Sequence, residues 1–416
     1  MPHLLFVTFL NLHTHTSSFT PFHTSTTSSA LTSKIIHHYQ LWSFSLNLTF
    51  KMAPPPAKKV KIDLDPQKDI KVDPESNKPI IFTTPGTQPD CRLRVFNQDF
   101  LVYSGLLKIN SAFFRKFLDP SSGKIPASSE VYKYEWFTCV DDSDSNCWSL
   151  TNDPKVIKIS YSLTWCANIY LEFRDTSTSS FTGSPHIHQE AFRKLLCAIF
   201  SRTYEVNNCY ELQVMTKHAE YYCALPILSI SLWGPLVNSP GLVPNIGPTA
   251  CHTLIAAYKL RHKQLFNDSF IHVLGPWKAP RYHQLKDLEP KLFQMAEAAH
   301  GKMRLQLLKV QQGMFEIFAD VNGNLKDTAN TMVGLAKVAH DKNKGVALPQ
   351  YFRLCYDQKY KSDEGQKAVR KLLGPLLKKN LVLDKSTNRA GQGPFKDFFL
   401  SFQVDKYPWD ESQIDW

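Results

Sequence analysis

The chain has 416 residues, a formal net charge of +11 and an isoelectric point near 9.1. That length holds two or three domains with ample core, no stretch approaches the roughly twenty consecutive apolar residues of a membrane-crossing helix, and the Lys and Arg are spread too widely to mark a nucleic-acid surface by themselves. The nine cysteines (91, 139, 147, 166, 197, 209, 223, 251 and 355) are odd in number and form no C-x-x-C, which points away from a disulfide framework or a Cys-rich zinc site and toward reduced, mostly buried thiols in a cytosolic or nuclear protein.

Residues 1–51 are rich in Thr, Ser and His and contain no Asp or Glu. MPHLLFVTFL lacks the basic n-region and the small-residue cleavage site of a signal peptide. The expectation is that 1–51 is a doubtful leader and that MAPPPAKKVKID, from Met52, is the true start. Within it, PAKKVKID (residues 56–63) resembles the Myc-type monopartite nuclear localisation signal. Lys58, Lys59 and Lys61 would present ammonium groups to the acidic pockets of an importin, the competing reading being a solvated charged tail. Residues 52–89 are Pro- and Lys-rich and read as a disordered basic tail.

The pattern sharpens at residues 90–118, DCRLRVFNQDFLVYSGLLKINSAFFRKFL. Leu93, Val95, Phe100 and Val102 alternate with Arg92, Arg94 and Leu101, a period of two that predicts a pair of half-buried strands. Asn97-Gln98-Asp99 between them predicts a hairpin turn. From Ser104, a reasonable N-cap, the period changes: Leu106, Leu107, Asn110, Phe113, Phe114 and Phe117 share one helical face, and Asp119-Pro120 stops the helix.

The pattern D-x-x-L-x-V, F-x-V-x-x-x-x-L, S-x-x-F-x-x-F, carried here by Asp90, Leu93, Val95, Phe100, Val102, Leu107, Ser111, Phe114 and Phe117, resembles the opening of a BTB/POZ domain. SAFFRKFLD is similar to the wording of fungal BTB proteins. An anonymous hairpin with an amphipathic helix is the plainer alternative. The resemblance implies an α+β fold, a small β-sheet flanked by a helical cluster, and a binding scaffold that is not an enzyme and uses no cofactor.

Next, residues 120–130 read as a loop, VYKYEWFTCV as a third strand, and DDSDSN as an acidic turn whose spacing does not suit calcium. The run 155–184 fits the family pattern poorly and reads as a retained intron or an inserted strand pair. A second match follows in HQEAFRKLLCAIFSRTYEV (residues 188–206). It resembles the BTB pattern F-x-x-L-L-x-x-[IF]-Y-T-G-x-Y-x-V, with Phe200-Ser201-Arg202 in place of Tyr-Thr-Gly. Residues 210–232 then predict two short helices with Leu212, Met215, Ala219, Tyr222, Leu225 and Leu228 inward. The resemblance thus spans 90–235, with a long insertion at 120–187.

Beyond a Pro/Gly-rich boundary, residues 250–277 predict a helix pair, so that 236–345 is similar in architecture to the helical BACK region that follows many BTB domains. Residues 285–321 predict one or two long helices, with Leu288, Leu292, Met295 and Ala299 on one stripe and Met303, Leu307 and Val310 on another. A further helix is expected to end at Gly345. In the helical and tail region 346–416, QKAVRKLLGPLLKKNLVLD predicts a basic amphipathic helix with a solvated Lys face, broken at Pro375, and WDESQIDW reads as a mobile or docking segment.

No nucleophile elbow, phosphate loop, dinucleotide fingerprint or H-E-x-x-H occurs, and neither His37-His38 nor His186-x-His188 has an identifiable third metal ligand. Function therefore rests on the resemblance, which implies protein partners and two-fold self-association through the first strand and first helix. The expected interaction surface is Asp90, Leu93, Val95, Leu106 and Phe113. In the family a buried acid pairs with a base after F-x-V-H. Here Tyr103 and Ser104 replace the His and the base, so Asp90 is exposed, hydrogen-bonded to Ser104 or a backbone N–H, or paired with Arg92 or Arg94. A weak homodimer or a heterotypic pair follows. A cullin-adaptor role ranks lower, because PSSGKIPASSE has no apolar residue two before Glu130, and direct binding of nucleic acid lacks a recognition helix. The expected location is nucleus or cytoplasm, without membrane contact.

Two outcomes check the amino-terminal reading. Peptide mapping of the expressed protein should find nothing from 1–51. Deleting residues 58–61 should move a tagged protein from nucleus to cytoplasm, and an unchanged distribution would remove the nuclear assignment.

Overall fold

The computed structural model describes residues 78–118, 131–141, 144–152, 181–320, 325–341, 345–414 and 416. The leader, the Lys cluster at 58, 59 and 61, the loop 120–130 and residues 155–180 of the insertion lie outside the described residues, as do 321–324 of the turn in DVNGNL. The fold is mixed α and β, with a small five-stranded sheet and many helices.

Strand β1 (Ile80–Phe82) comes from sequence expected to be linker. Strands β2 (Cys91–Val95) and β3 (Gln98–Val102) form the predicted antiparallel hairpin, with Leu93 opposite Phe100. The turn is tighter than expected: Val95 pairs with Gln98, so the two-residue loop is Phe96-Asn97 and Asp99 belongs to the strand. Phe96 adopts φ +53, a region that disfavours bulky residues. Its N–H donates to Thr138 Oγ1 at 2.7 Å and its buried ring packs against Trp148 and Phe181, so tertiary packing overrides the local preference.

After β3 the chain makes α1 (Ser104–Asn110) and α2 (Ala112–Phe117), where a single helix was expected. Ser111 breaks it with φ −144 and ψ 117, caps α2 by accepting from Phe114 N at 3.1 Å, and donates to Tyr222 O at 2.5 Å. Ser104 is the first helical residue and not the N-cap; that position is Tyr103. The predicted third strand is β4 (Tyr134–Val140), parallel to β2, and β5 (Trp148–Thr151) closes the sheet in the order β1-β3-β2-β4-β5. Of DDSDSN, residues 142–143 lie outside the described residues, and Asp144 Oδ1 accepts from Asn146 N at 2.9 Å.

Helices α3 (Pro185–Ile199) and α4 (Cys209–Tyr221) pack on the sheet, Phe192 against Phe100 and His218 against Trp148, and α5 (Leu225–Ser231) packs against both helices. Leu195, Leu196, Ile199 and all six residues expected inward on the closing hairpin are buried there. The Pro/Gly-rich stretch becomes α6 (Trp233–Asn238) and α7 (Leu242–Asn245), and its Leu236, Leu242 and Ile246 join the same hydrophobic cluster. The predicted pair follows as α8 (Ala250–Lys259) and α9 (Lys263–Leu274).

The long helix is α11 (Pro290–Ala319), after the short α10 (Leu285–Leu288); Leu292, Met303, Leu307 and Val310 are buried along it. Helix α12 (Lys326–Val338) stops earlier than expected, because His340–Asp341 (β6) and Gly345–Val346 (β7) form a small hairpin and Gly345 supplies its φ +69 there. Helices α13 (Leu348–Asp357) and α14 (Asp363–Leu373) complete the elements. On α14 Val369 and Leu373 are buried while Lys367, Arg370 and Lys371 are exposed, the solvated basic face that was expected. The final segment is not free: it lies on α8, α9 and α11.

Phe114 stacks on Tyr222 at 5.4 Å, and both Phe114 and Leu196 are buried. Phe114→Ala or Leu196→Ala should each destabilise the fold by about 3 kcal/mol. Thermal or urea unfolding indistinguishable from wild type for both would refute the core.

Candidate interaction surface

Asp90 is where three elements meet. Its N–H donates to Val102 O at the end of β3 (3.2 Å), and its carbonyl accepts from Lys133 N and Tyr134 N at the start of β4 (2.9 and 3.1 Å). Its carboxylate accepts from Ser104 N at 2.7 Å and from the Ser104 hydroxyl at 2.6 Å, at the first turn of α1. Of the three environments left open by the sequence, the half-buried carboxylate has the second: Ser104 satisfies it within the chain. Arg92 and Arg94 turn to the other face of the sheet and bind Asp99 at 2.8 and 2.7 Å. Burial alone would raise the Asp99 carboxyl, but hydrogen bonds from Arg94 and Arg92 outweigh it and hold it below the usual range.

Leu93 and Val95 do not belong to a surface. Both are fully buried, because the inward face of β2 lies under the helices, and the alternation that marked them as apolar marked them as core. Leu106 and Phe113 are partly buried. The exposed apolar groups beside them are ones the sequence did not single out: Ile109 at the end of α1, 68% exposed, and Tyr221 at the end of α4, 51% exposed. Phe113 links this edge to the core, its ring 4.7 Å from Phe117, 5.7 Å from Tyr221 and 5.2 Å from Tyr222. Tyr221 was legible in principle: Tyr222 was assigned inward, and its neighbour is rotated about 100° round the helix. A second exposed ridge, Ile230, Trp233 and Val237, runs along α5 and α6 at spacings of three and four. A shallow cleft of about 320 Å³ that includes Tyr204 and Ile227 lies beside it.

The His186-x-His188 pair does not come together as a ligand set. His188 Nδ1 lies 3.2 Å from His218 Nε2 inside a ring of Trp148, Phe181 and Phe192. Burial, then the neighbouring His188, pushes the His218 imidazole down to about 3, and burial lowers His188 as well. Neutral, hydrogen-bonded rings in an aromatic box describe this place. Among the described residues no group of three His, Cys, Asp or Glu is placed to hold a metal ion, and no helix is long and apolar enough to cross a membrane.

Comparison with known proteins finds no family model that matches the chain, and no match among curated proteins or solved structures.

Ser104→Ala should cost about 1–3 kcal/mol, because it leaves one Asp90 carboxylate oxygen without its donor in a half-buried place. Chemical denaturation measures it, and an unchanged midpoint would show that solvent replaces the hydroxyl at no cost.

Proposed function

We propose that residues 90–235 are a BTB/POZ-like unit and that the protein acts as a protein–protein interaction scaffold, self-associating weakly and working in the nucleus when the signal at Lys58, Lys59 and Lys61 is read. The order of elements supports the fold reading: hairpin, broken first helix, third strand parallel to the first strand of the hairpin, then a long helix and a helical hairpin packed on the sheet. The observation that carries the function is the exposed apolar Ile109 on the first helix, which the resemblance implies for association, together with exposed Tyr221, whose ring meets Phe113. The Asp90 carboxylate is already satisfied by Ser104, so this interface works without an acid–base pair across it. Its strength would come from apolar contact alone, which fits a weak homodimer.

Light scattering of the full chain over a concentration series should show mass rising with concentration. Ile109→Asp should abolish the rise without lowering the unfolding midpoint, since its side chain is 68% exposed. A wild-type protein that stays monomeric throughout, and whose affinity-purified partners are the same for the variant, would sink the reading.

A further inference from the structure

The described residues of the last stretch of the sequence, 405–414 and 416, form no helix or strand, yet Asp405, Tyr407, Trp409, Glu411 and Trp416 each meet a partner on the helices or the turn between them. Trp409 stands edge-on to the buried Phe266 of α9, ring centres 5.1 Å apart at 87°, and stacks on Tyr407 at 4.7 Å. Tyr407 Oη accepts from Asn267 Nδ2 at 3.1 Å. Glu411 pairs with Lys263 and Asp405 with Lys302. The segment's main chain is met by receptor side chains. Lys291 donates to Pro408 O at 2.5 Å, and Arg261 donates to Asp410 O and Gln413 O at 3.2 and 3.4 Å. The same guanidinium lies 4.7 Å from the centre of the Trp416 ring, whose Nε1 donates to Lys259 O at 3.1 Å.

Two features make this resemble recognition more than filling. The chemistry is complementary in sign: the segment holds four acids and one lysine, and facing it are Arg261 in the turn between α8 and α9, Lys263 of α9, and Lys291 and Lys302 of α11. Readout of an extended segment through aromatic anchors and cationic clamps is how peptide grooves gain specificity. The fit is also incomplete: an open cleft of about 980 Å³ remains along the segment, lined in part by Tyr258, Trp409 and Trp416.

We propose that the face made by α8, α9 and the first turns of α11 is a docking groove for extended acidic segments carrying a Tyr-x-Trp pair followed by a carboxylate, and that residues 405–416 are its built-in occupant, displaced by a segment of the same chemistry from a partner protein. The tether gives the built-in occupant an effective concentration in the millimolar range, so the groove is closed to weak competitors and opens to a tight or multivalent one. The groove lies outside residues 90–235 and stands or falls independently of the scaffold reading.

The probe is a fluorescent synthetic peptide of residues 403–416, titrated into the full chain and followed by anisotropy. The receptors are wild type and the double variant Tyr407→Ala/Trp409→Ala, which empties its own groove. The variant should bind saturably and at least about tenfold more tightly than wild type. Binding should weaken as salt rises and be lost when Arg261→Ala and Lys263→Ala are added or when the peptide carries Trp409→Ala. Absence of saturable binding by a variant that still unfolds cooperatively, or equal binding by both receptors, would overturn the groove. Should the double variant fail to fold, Asp405→Asn/Glu411→Gln, which removes only two exposed ion pairs, is the loosened receptor and the same outcomes decide. A wild-type chain whose mass rises with concentration and falls on Trp409→Ala would overturn the assignment to a foreign partner, since the occupant would then be a second copy.

Discussion

The sheet depends on one residue's full set of polar groups. Asp90 offers one N–H, one carbonyl and one carboxylate, and each is taken by a different element: β3, β4 and α1. The N–H and carbonyl bonds start the antiparallel ladder on one side of β2 and the parallel ladder on the other. The carboxylate fixes where α1 leaves the sheet. A parallel pairing needs a long connection before its contacts form, and here more than thirty residues separate β3 from β4. An anchor at the first residue of the register is what such a long return requires.

Elsewhere the same device recurs with buried charge. Lys194 of α3 is almost wholly buried and pairs with Glu211 of α4, whose other carboxylate oxygen accepts from Asn207 N at 2.7 Å. Asp268 of α9 is buried, which raises its carboxyl, while the amides of Val382 and Leu383 donate to it at 2.9 and 2.8 Å and offset part of that rise. Arg353 of α13 reaches Leu377 O and Ala390 O at 3.0 and 2.9 Å. Both tie a stretch after α14 that has little regular structure of its own to satisfy its main chain. Each bond of this kind contributes about 1.5–3 kcal/mol while intact, and removal of one partner leaves a buried charge or carbonyl exposed to no solvent.

Much of the helical part was legible. Stripes such as Leu212, Met215 and Ala219, or Met303, Leu307 and Val310, state burial directly, because a period of 3.6 has one physical meaning. The hairpin was equally legible from the alternation of Leu93, Val95, Phe100 and Val102. The same alternation misled the site assignment: two of the residues chosen as surface, Leu93 and Val95, are apolar because they are core, and only accessibility separates the two. Strand β1 was hidden because three apolar residues inside a Pro- and Lys-rich stretch carry no period. Ser111 reads as a helix-tolerant residue, and only the approach of Tyr222 O, from a helix more than a hundred residues later, explains the break.

Sequence alone, then, set the hairpin of β2 and β3, the longer helices and the faces on which their apolar residues lie. These are local quantities, set by spacing and residue type within about twenty positions. Tertiary structure alone decided that Ser104 satisfies the Asp90 carboxylate, that Ile109 and Tyr221 reach the surface while Leu93 and Val95 do not, and that Tyr407 and Trp409 of the acidic closing segment pack on α9. Each of those is a pairing between groups distant in the chain, and the energy of such a pair exists only once the fold has brought its members within a few ångströms.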